Sequence, residues 1–316
     1  MTRRPLPLLV ALALIWGSSF MFIKIADRQL APSTLILGRL GLAAATLAIV
    51  VPLMIGARTT LAELRAHWPA LVLVGLLNTA VPFWLLSWGE TRIDSGLASI
   101  IQGSVPIFNA LLAFGFFRSE RVTGRRLLGV AIGFVGVAIL VGAQPHAKLL
   151  GALAVVGMAI CYAAGGLATR RFLATARPHA IALGTTLVAA IVVTPAGVLQ
   201  APGHAPKAET FASLAVLGVI GTAAAYLIFF TLIARAGAGY ASLVTYLVPP
   251  VALFYGAVFE NEGIGAAAII GLVLILGGVA LGTGAVRRIR LNGARRGADA
   301  WRGVAGGGEA DSPVGR

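Results

Sequence analysis

The chain has 316 residues, of which 58% are hydrophobic and 11% charged, against about 25% charged in an average soluble domain. That balance excludes a water-soluble globular protein, because too little polar surface exists to cover the apolar mass. The formal charge of +14 would suggest nucleic acid in a soluble chain; here the arginines flank apolar runs, which points instead to membrane topology and anionic lipid, with no nucleic-acid partner.

In chain order, Arg3 and Arg4 precede an apolar run from Leu6 to Ala26. The pair resembles the start of a secretory leader, but the run is long enough to span, so it predicts an uncleaved first helix. Further apolar windows follow at Thr34 to Ile55, Pro69 to Trp88, Ser95 to Phe117 and Gly124 to Gly142. A second set runs Leu150 to Thr169, Ala180 to Leu199, Ala212 to Ala234, Tyr240 to Phe259 and Ile264 to Val286. Turn and cap signals separate them, as at Ala31-Pro32-Ser33, Ala201-Pro202-Gly203 and Gly237-Ala238-Gly239. The prediction is an all-α polytopic membrane protein of about ten transmembrane helices. The lone Cys161 lies inside an apolar run and can form no intrachain disulfide. From 287 to 316 the chain is Arg- and Gly-rich and reads as a disordered basic tail.

Alternate connections carry Arg3, Arg4, Arg58, Arg65, Arg118, Arg121, Arg125, Arg126, Arg170, Arg171, Arg177, Arg235 and the tail arginines. The opposite side carries Lys24, Arg28, Arg92, Lys148 and Lys207. This bias predicts both termini in the cytoplasm of a bacterial-type inner membrane.

The halves repeat. Gly96, Ala98, Ser99, Val105 and Pro106 recur as Gly239, Ala241, Ser242, Val248 and Pro249, while Thr79 and Ala80 recur as Thr222 and Ala223. After a slip of about one residue, Glu120, Gly129 and Gly136 recur as Glu262, Gly271 and Gly278. Trp16, Lys24, Pro32 and Gly38 align with Tyr162, Arg170, Pro178 and Gly184. With five spans in each half, an odd number, the second half starts on the other side of the membrane, so residues 1–142 and 143–286 read as inverted repeats. Many secondary transporters use such repeats to present one site alternately to either face. Gene duplication alone could also build the bundle, which keeps a non-transporting polytopic sensor or channel-like protein as the alternative.

Trp16-Gly17-Ser18-Ser19-Phe20, Arg39, Pro106, and Glu120-Arg121-Val122-Thr123 leading to Gly129 and Gly136 resemble the EamA-type permeases of the drug/metabolite transporter superfamily. The second half carries a weaker copy in Pro249 and Glu262 leading to Gly271 and Gly278. The resemblance, over roughly residues 6–286, implies a ten-helix bundle with a central cavity between the halves, in the inner membrane. It also implies movement of amino acids or similar small metabolites, often export. Tyr162, which keeps no Trp-Gly pair, and the doubled Pro249-Pro250 depart from that pattern.

Prolines within spans free backbone carbonyls that a neighbour or cavity water must satisfy. Pro106 and the pair Pro249-Pro250 occupy corresponding mid-span positions, the best sequence pointer to a midplane site and to gating kinks. Asn78, Gln102, Asn109, Thr222, Thr245 and Tyr246 would be costly facing lipid, and so are expected to face the interior as cavity or helix-to-helix groups. Trp16, Trp84, Tyr162 and Tyr226 could stack on a solute, whereas Trp68, Trp88 and Tyr240 fit an interfacial belt.

Arg39, the one charge clearly within a span, lies about five residues or roughly 8 Å from its end. It could snorkel to the interface or contact an anion such as a carboxylate. Lys24 and Arg170 fit the dipoles of their own helix C-termini, and Glu120 and Glu262 fit N-terminal caps of the helices that follow them. With no Asp or Glu near the centre of any span, the pattern favours a facilitator, or a carrier with coupling residues near the rims.

No His-Glu-x-x-His, Walker A loop, Gly-x-Ser-x-Gly elbow or Cys-x-x-Cys occurs, so no enzyme, metal site or cofactor is expected. The expected partners are a small-molecule solute and membrane lipid. Gly129, Gly133 and Gly136 suit packing within the bundle or in a homodimer.

Overall fold

The computed structural model describes residues 6–116, 124–142, 146–236, 238–241 and 243–282. Glu120, Arg121, Ser242 and the basic tail, singled out above, lie outside the described residues. Every regular element among the described residues is a helix. We number them α1 (Leu6–Asp27), α2 (Pro32–Ile55), α3 (Ala57–Glu90), α4 (Ser95–Gln102), α5 (Val105–Phe116) and α6 (Arg125–Gly142). There follow α7 (His146–Phe172), α8 (Pro178–Leu199), α9 (208–236), α10 (Ala238–Ala241), α11 (Val244–Phe259) and α12 (Ala266–Gly282). Among the described residues seven helical stretches are long and apolar enough to cross a membrane, and Leu127–Gly142, Val244–Phe259 and Ala266–Leu281 are shorter apolar helices. The chain is a multi-pass membrane protein.

Sequence reasons for the ends are visible. Pro32 and Pro178 sit in the first turn of α2 and α8, where their missing N–H is one that a helix leaves unbonded anyway. Gly56 takes a left-handed φ of 86° and lets α3 start at once after α2. Helix α3 runs 34 residues, about 51 Å at the helical rise, so its first turns extend past the apolar segment; Arg58 and Arg65 there are exposed.

Two features interrupt the helices. The span expected from Ser95 to Phe117 is broken at Gly103-Ser104 into α4 and α5. Within α3 and α9, Leu76–Ala80 and Val216–Ala224 are π-helical, a winding that inserts an extra residue and is frequent at functional sites.

Packing pairs the two halves. Helix α1 lies along α11 as α7 lies along α4 and α5; α3 lies along α7 as α9 lies along α1; α2 crosses α8, and α6 packs on α12. The last pair meets on glycines: a side-chain carbon added at Gly278 would lie 2.5 Å from the Gly129 carbonyl and 2.6 Å from the Gly133 nitrogen. Such close backbone approach is how membrane helices gain dispersion contacts.

One end of the bundle, carrying residues 28–31, 91–94 and 260–265, is tied across the halves. Arg28 pairs with Glu260. Glu262 accepts from the Ser95 amide at 2.7 Å, the Ser95 hydroxyl at 2.8 Å and the Gly96 amide at 3.0 Å. Glu262 therefore caps the N-terminus of α4 and not that of its own following helix, a correction to the expectation. Lys24 is also redirected: its Nζ donates to the main-chain carbonyls of Glu90 and Ile93, at the C-terminus of α3 instead of its own helix.

Candidate functional site

A cavity of about 760 Å³ lies between the halves. It reaches from Ile23 and Leu86, short of the tied end, to Thr169, Arg170 and Ile233 at the other. The first half supplies Trp16 from α1, Arg39 from α2, Asn78 from the π-segment of α3, Gln102 from the last residue of α4 and Asn109 from α5. From the second half come Tyr162 of α7, Tyr226 of α9, and Thr245 and Pro249 of α11. Phe83, Phe229 and Phe230 complete an aromatic wall, with Trp16 and Phe229 centred 5.5 Å apart.

The helix interruptions all face this space. Gly103, at the break between α4 and α5, lies against Pro249: an added side-chain carbon would meet the proline ring at 3.4 Å. Asn78 and Thr79 belong to one π-segment and Thr222 to the other, and Asn78 and Thr79 line the cavity. The Thr222 hydroxyl donates back five residues to the Leu217 carbonyl at 2.9 Å, satisfying an acceptor within the wider winding.

Arg39 organises the chamber's polar side. It is 4% exposed, so the snorkelling alternative is overturned: α2 presents this position to the bundle interior. Its Nε donates to the Thr222 hydroxyl at 2.9 Å, and its guanidinium lies 4.2 Å from the centre of the Phe83 ring. No carboxylate among the described residues forms a salt bridge with it. A buried guanidinium that meets a hydroxyl and a ring but no carboxylate at salt-bridge distance retains strong attraction for an anion.

Other residues singled out from the sequence fall elsewhere. Trp84 does not line the cavity; its indole donates to the Ser33 hydroxyl at 3.0 Å, beside a shallow depression formed with Pro32, Trp88, Thr91, Arg92 and Gln200. Tyr246 packs against the apolar core, and Pro106 and Pro250 are absent from the cavity wall, which takes Pro249 alone of the three prolines. Sequence reasoning passed over Ser19, Thr79, Ser99 and Thr185, all on the wall. Thr79 had a signal in its repeat partner Thr222. The acids Glu90, fully buried, and Asp27, half-buried, were missed because both stand at the ends of apolar runs, where an acid reads as solvated.

Apolar membrane-length helices around a polar-studded chamber define a polytopic membrane protein with an internal space of solute size. The EamA-like transporter family matches residues 4–142 and again 149–283; the chain belongs to that family, and it is a membrane transporter and not an enzyme. It is 30% identical over 279 residues to a probable terminal-alkyne amino-acid exporter of Streptantibioticus cattleyicolor, covering 86% of this chain and 91% of the relative. A probable amino-acid metabolite efflux pump of Escherichia coli is 25% identical over 299 residues, 88% of this chain and 94% of that one. A solved crystal structure, 20% identical, shares the fold with a TM-score of 0.64 over 89% of this chain and 97% of its own.

Proposed function

We propose that this chain is a secondary transporter that moves a small metabolite bearing a carboxylate, such as an amino acid or an analogue, across the inner membrane by alternating access. The observation that carries the reading is Arg39: a buried cation without a carboxylate partner, on the wall of an aromatic chamber. The solute's carboxylate would meet the guanidinium, and its side chain would lie among Trp16, Tyr162, Tyr226 and Phe229. The names of the Streptantibioticus and Escherichia relatives favour an amino-acid-like cargo and export.

Alternating access is supported by the reciprocal packing of the halves, by π-segments at matching places in α3 and α9, and by a chamber walled from both halves. We read the architecture as ten spans in two inverted repeats, with residues 1–142 and 143–286 as the units. The lysine and arginine bias of the connections supports cytoplasmic termini and, with them, an outer position for the tied end.

The test is twofold. Overexpression against a panel of toxic amino acids and analogues is expected to give resistance to one class. In proteoliposomes, radiolabelled L-phenylalanine is expected to enter saturably and faster when unlabelled L-phenylalanine is inside. Strictly linear flux without this trans-stimulation would overturn the alternating-access reading.

A further inference from the structure

At the tied end the described residues hold acids whose placement solute binding does not explain. Glu90, the last residue of α3, is fully buried, and neither of its carboxylate oxygens meets a protein donor. Asp27, the last residue of α1, accepts the Ser87 hydroxyl on Oδ1 at 2.9 Å, while its Oδ2 is buried and has no partner.

The cations nearby are engaged elsewhere. Lys24 donates to the main-chain carbonyls of Glu90 and Ile93, at 2.6 and 2.8 Å. The charged groups facing Glu90 are Asp27 and Lys24 from α1, Arg39 from α2 and Glu262 from the 260–265 segment. Arg39 is held by Thr222 and Phe83, and Glu262 by Ser95 and Gly96. Helix α7, packed on α3, brings Lys148, which lies 3.9 Å from Asp94. Beyond Glu90, Arg92 stacks on Trp88. A carboxylate removed from water without a donor is strongly disfavoured, and two neighbouring acids, one fully and one half-buried, do not both ionise readily. A proton resolves both problems.

We infer that Glu90, with Asp27, is a proton-binding site lying between the solute cavity and the closed end of the bundle. Ile23 and Leu86 line the cavity, each one helical turn, about 5.4 Å, before Asp27 and Glu90. On the other side stand the cross-half ties of Glu260 and Glu262. While this end is shut, Glu90 keeps its proton. When it opens, water reaches the acid, the O–H bond breaks heterolytically, the proton passes to water and the carboxylate remains. On reclosure Glu90 takes a proton from the cavity side instead, so each cycle moves one proton across the membrane and is tied to the gradient. This inference rests on the transport reading above.

The test has two arms. Infrared spectra of the purified full chain in lipid at neutral pH are expected to show a protonated-carboxyl band that shifts in D₂O and is lost in Glu90→Gln. Asp27→Asn is expected to shift it, which serves should Glu90→Gln fail to fold. No such band, or one indifferent to both substitutions, overturns the proton site whatever the protein carries. In proteoliposomes, L-phenylalanine uptake driven by a pH gradient is divided by L-phenylalanine counterflow in the same preparation. The wild type is expected to exceed its own value without a gradient, and Glu90→Gln to lose that excess. A wild type with counterflow but no gradient response overturns the coupling. Absent wild-type counterflow counts against the transport reading instead, and the infrared arm still decides the proton site.

Discussion

On the proposed reading Arg39 separates stability from function, because it is a buried charge with no carboxylate within salt-bridge distance among the described residues. Arg39→Met removes that charge and fills similar volume; burying a methionine there is expected to leave the melting temperature unchanged or raise it. Transport is expected to fall, since a charge-assisted contact to a carboxylate contributes about 1.5–3 kcal/mol, roughly tenfold to a hundredfold in the half-saturating concentration. Arg39→Lys keeps the charge but loses the planar fork and the stacking on Phe83, and should lie between. Thermal melts and L-phenylalanine counterflow on the same preparations check this; a variant that melts early and transports normally would show that Arg39 is structural. The presence of Arg39 in an apolar run was legible in the sequence, but its direction was not. A five-residue offset from a span end fits either snorkelling or burial, and only the neighbours Thr222 and Phe83, far apart in the chain, decide between them. Glu90 was illegible for the same reason, since the charged groups around it, Asp27, Lys24, Arg39 and Glu262, arrive from distant positions in the chain.

At the scale of elements, the spans were legible because lipid imposes length and apolarity on each helix separately; α1, α2 and α8 begin and end within a few residues of the apolar windows. The break at Gly103-Ser104 and the two π-segments were not, because they depend on what packs against the helix and leave hydropathy unchanged. Helix contact was half legible: the glycines of α6 were visible, while their partner was not. Since Gly278 meets the Gly129 carbonyl and the Gly133 backbone, Gly278→Ala presses a methyl group on main chain that cannot rotate away. We expect a loss of about 1–3 kcal/mol by overpacking, read as a lower melting temperature in detergent. Gly277→Ala, whose added carbon meets nothing within 4 Å, is the control. At α9, Thr222→Val removes both the hydroxyl that bonds Leu217 and the acceptor for Arg39. Counterflow is expected to weaken in this variant and to recover in Thr222→Ser, which restores the hydroxyl.

On the alternating-access reading the whole molecule balances between two ends, and the ties at one of them cross the halves. Glu262 accepts three hydrogen bonds from the start of α4, two of them from backbone amides that a helix N-terminus otherwise leaves bare. Glu262→Ala withdraws all three at once, and hydrogen bonds to a charged group contribute about 1.5–3 kcal/mol each. Even one such contribution shifts a two-state balance about tenfold or more. The expected outcome is more time spent open at that end. To read it, Cys161 is replaced by serine and Ser19, on the cavity wall, by cysteine, and a membrane-impermeant maleimide is applied from that side of the membrane. The parent should label slowly because the tied end covers the chamber, and the Glu262→Ala variant should label at least about tenfold faster. Arg28→Ala, which removes one pair between an arginine side chain 57% exposed and a glutamate side chain 6% exposed, should change labelling less, since a single half-solvated contact is lost instead of three hydrogen bonds. Equal labelling of the parent and the Glu262→Ala variant would mean that the cap on α4 holds a helix in place without holding the end shut.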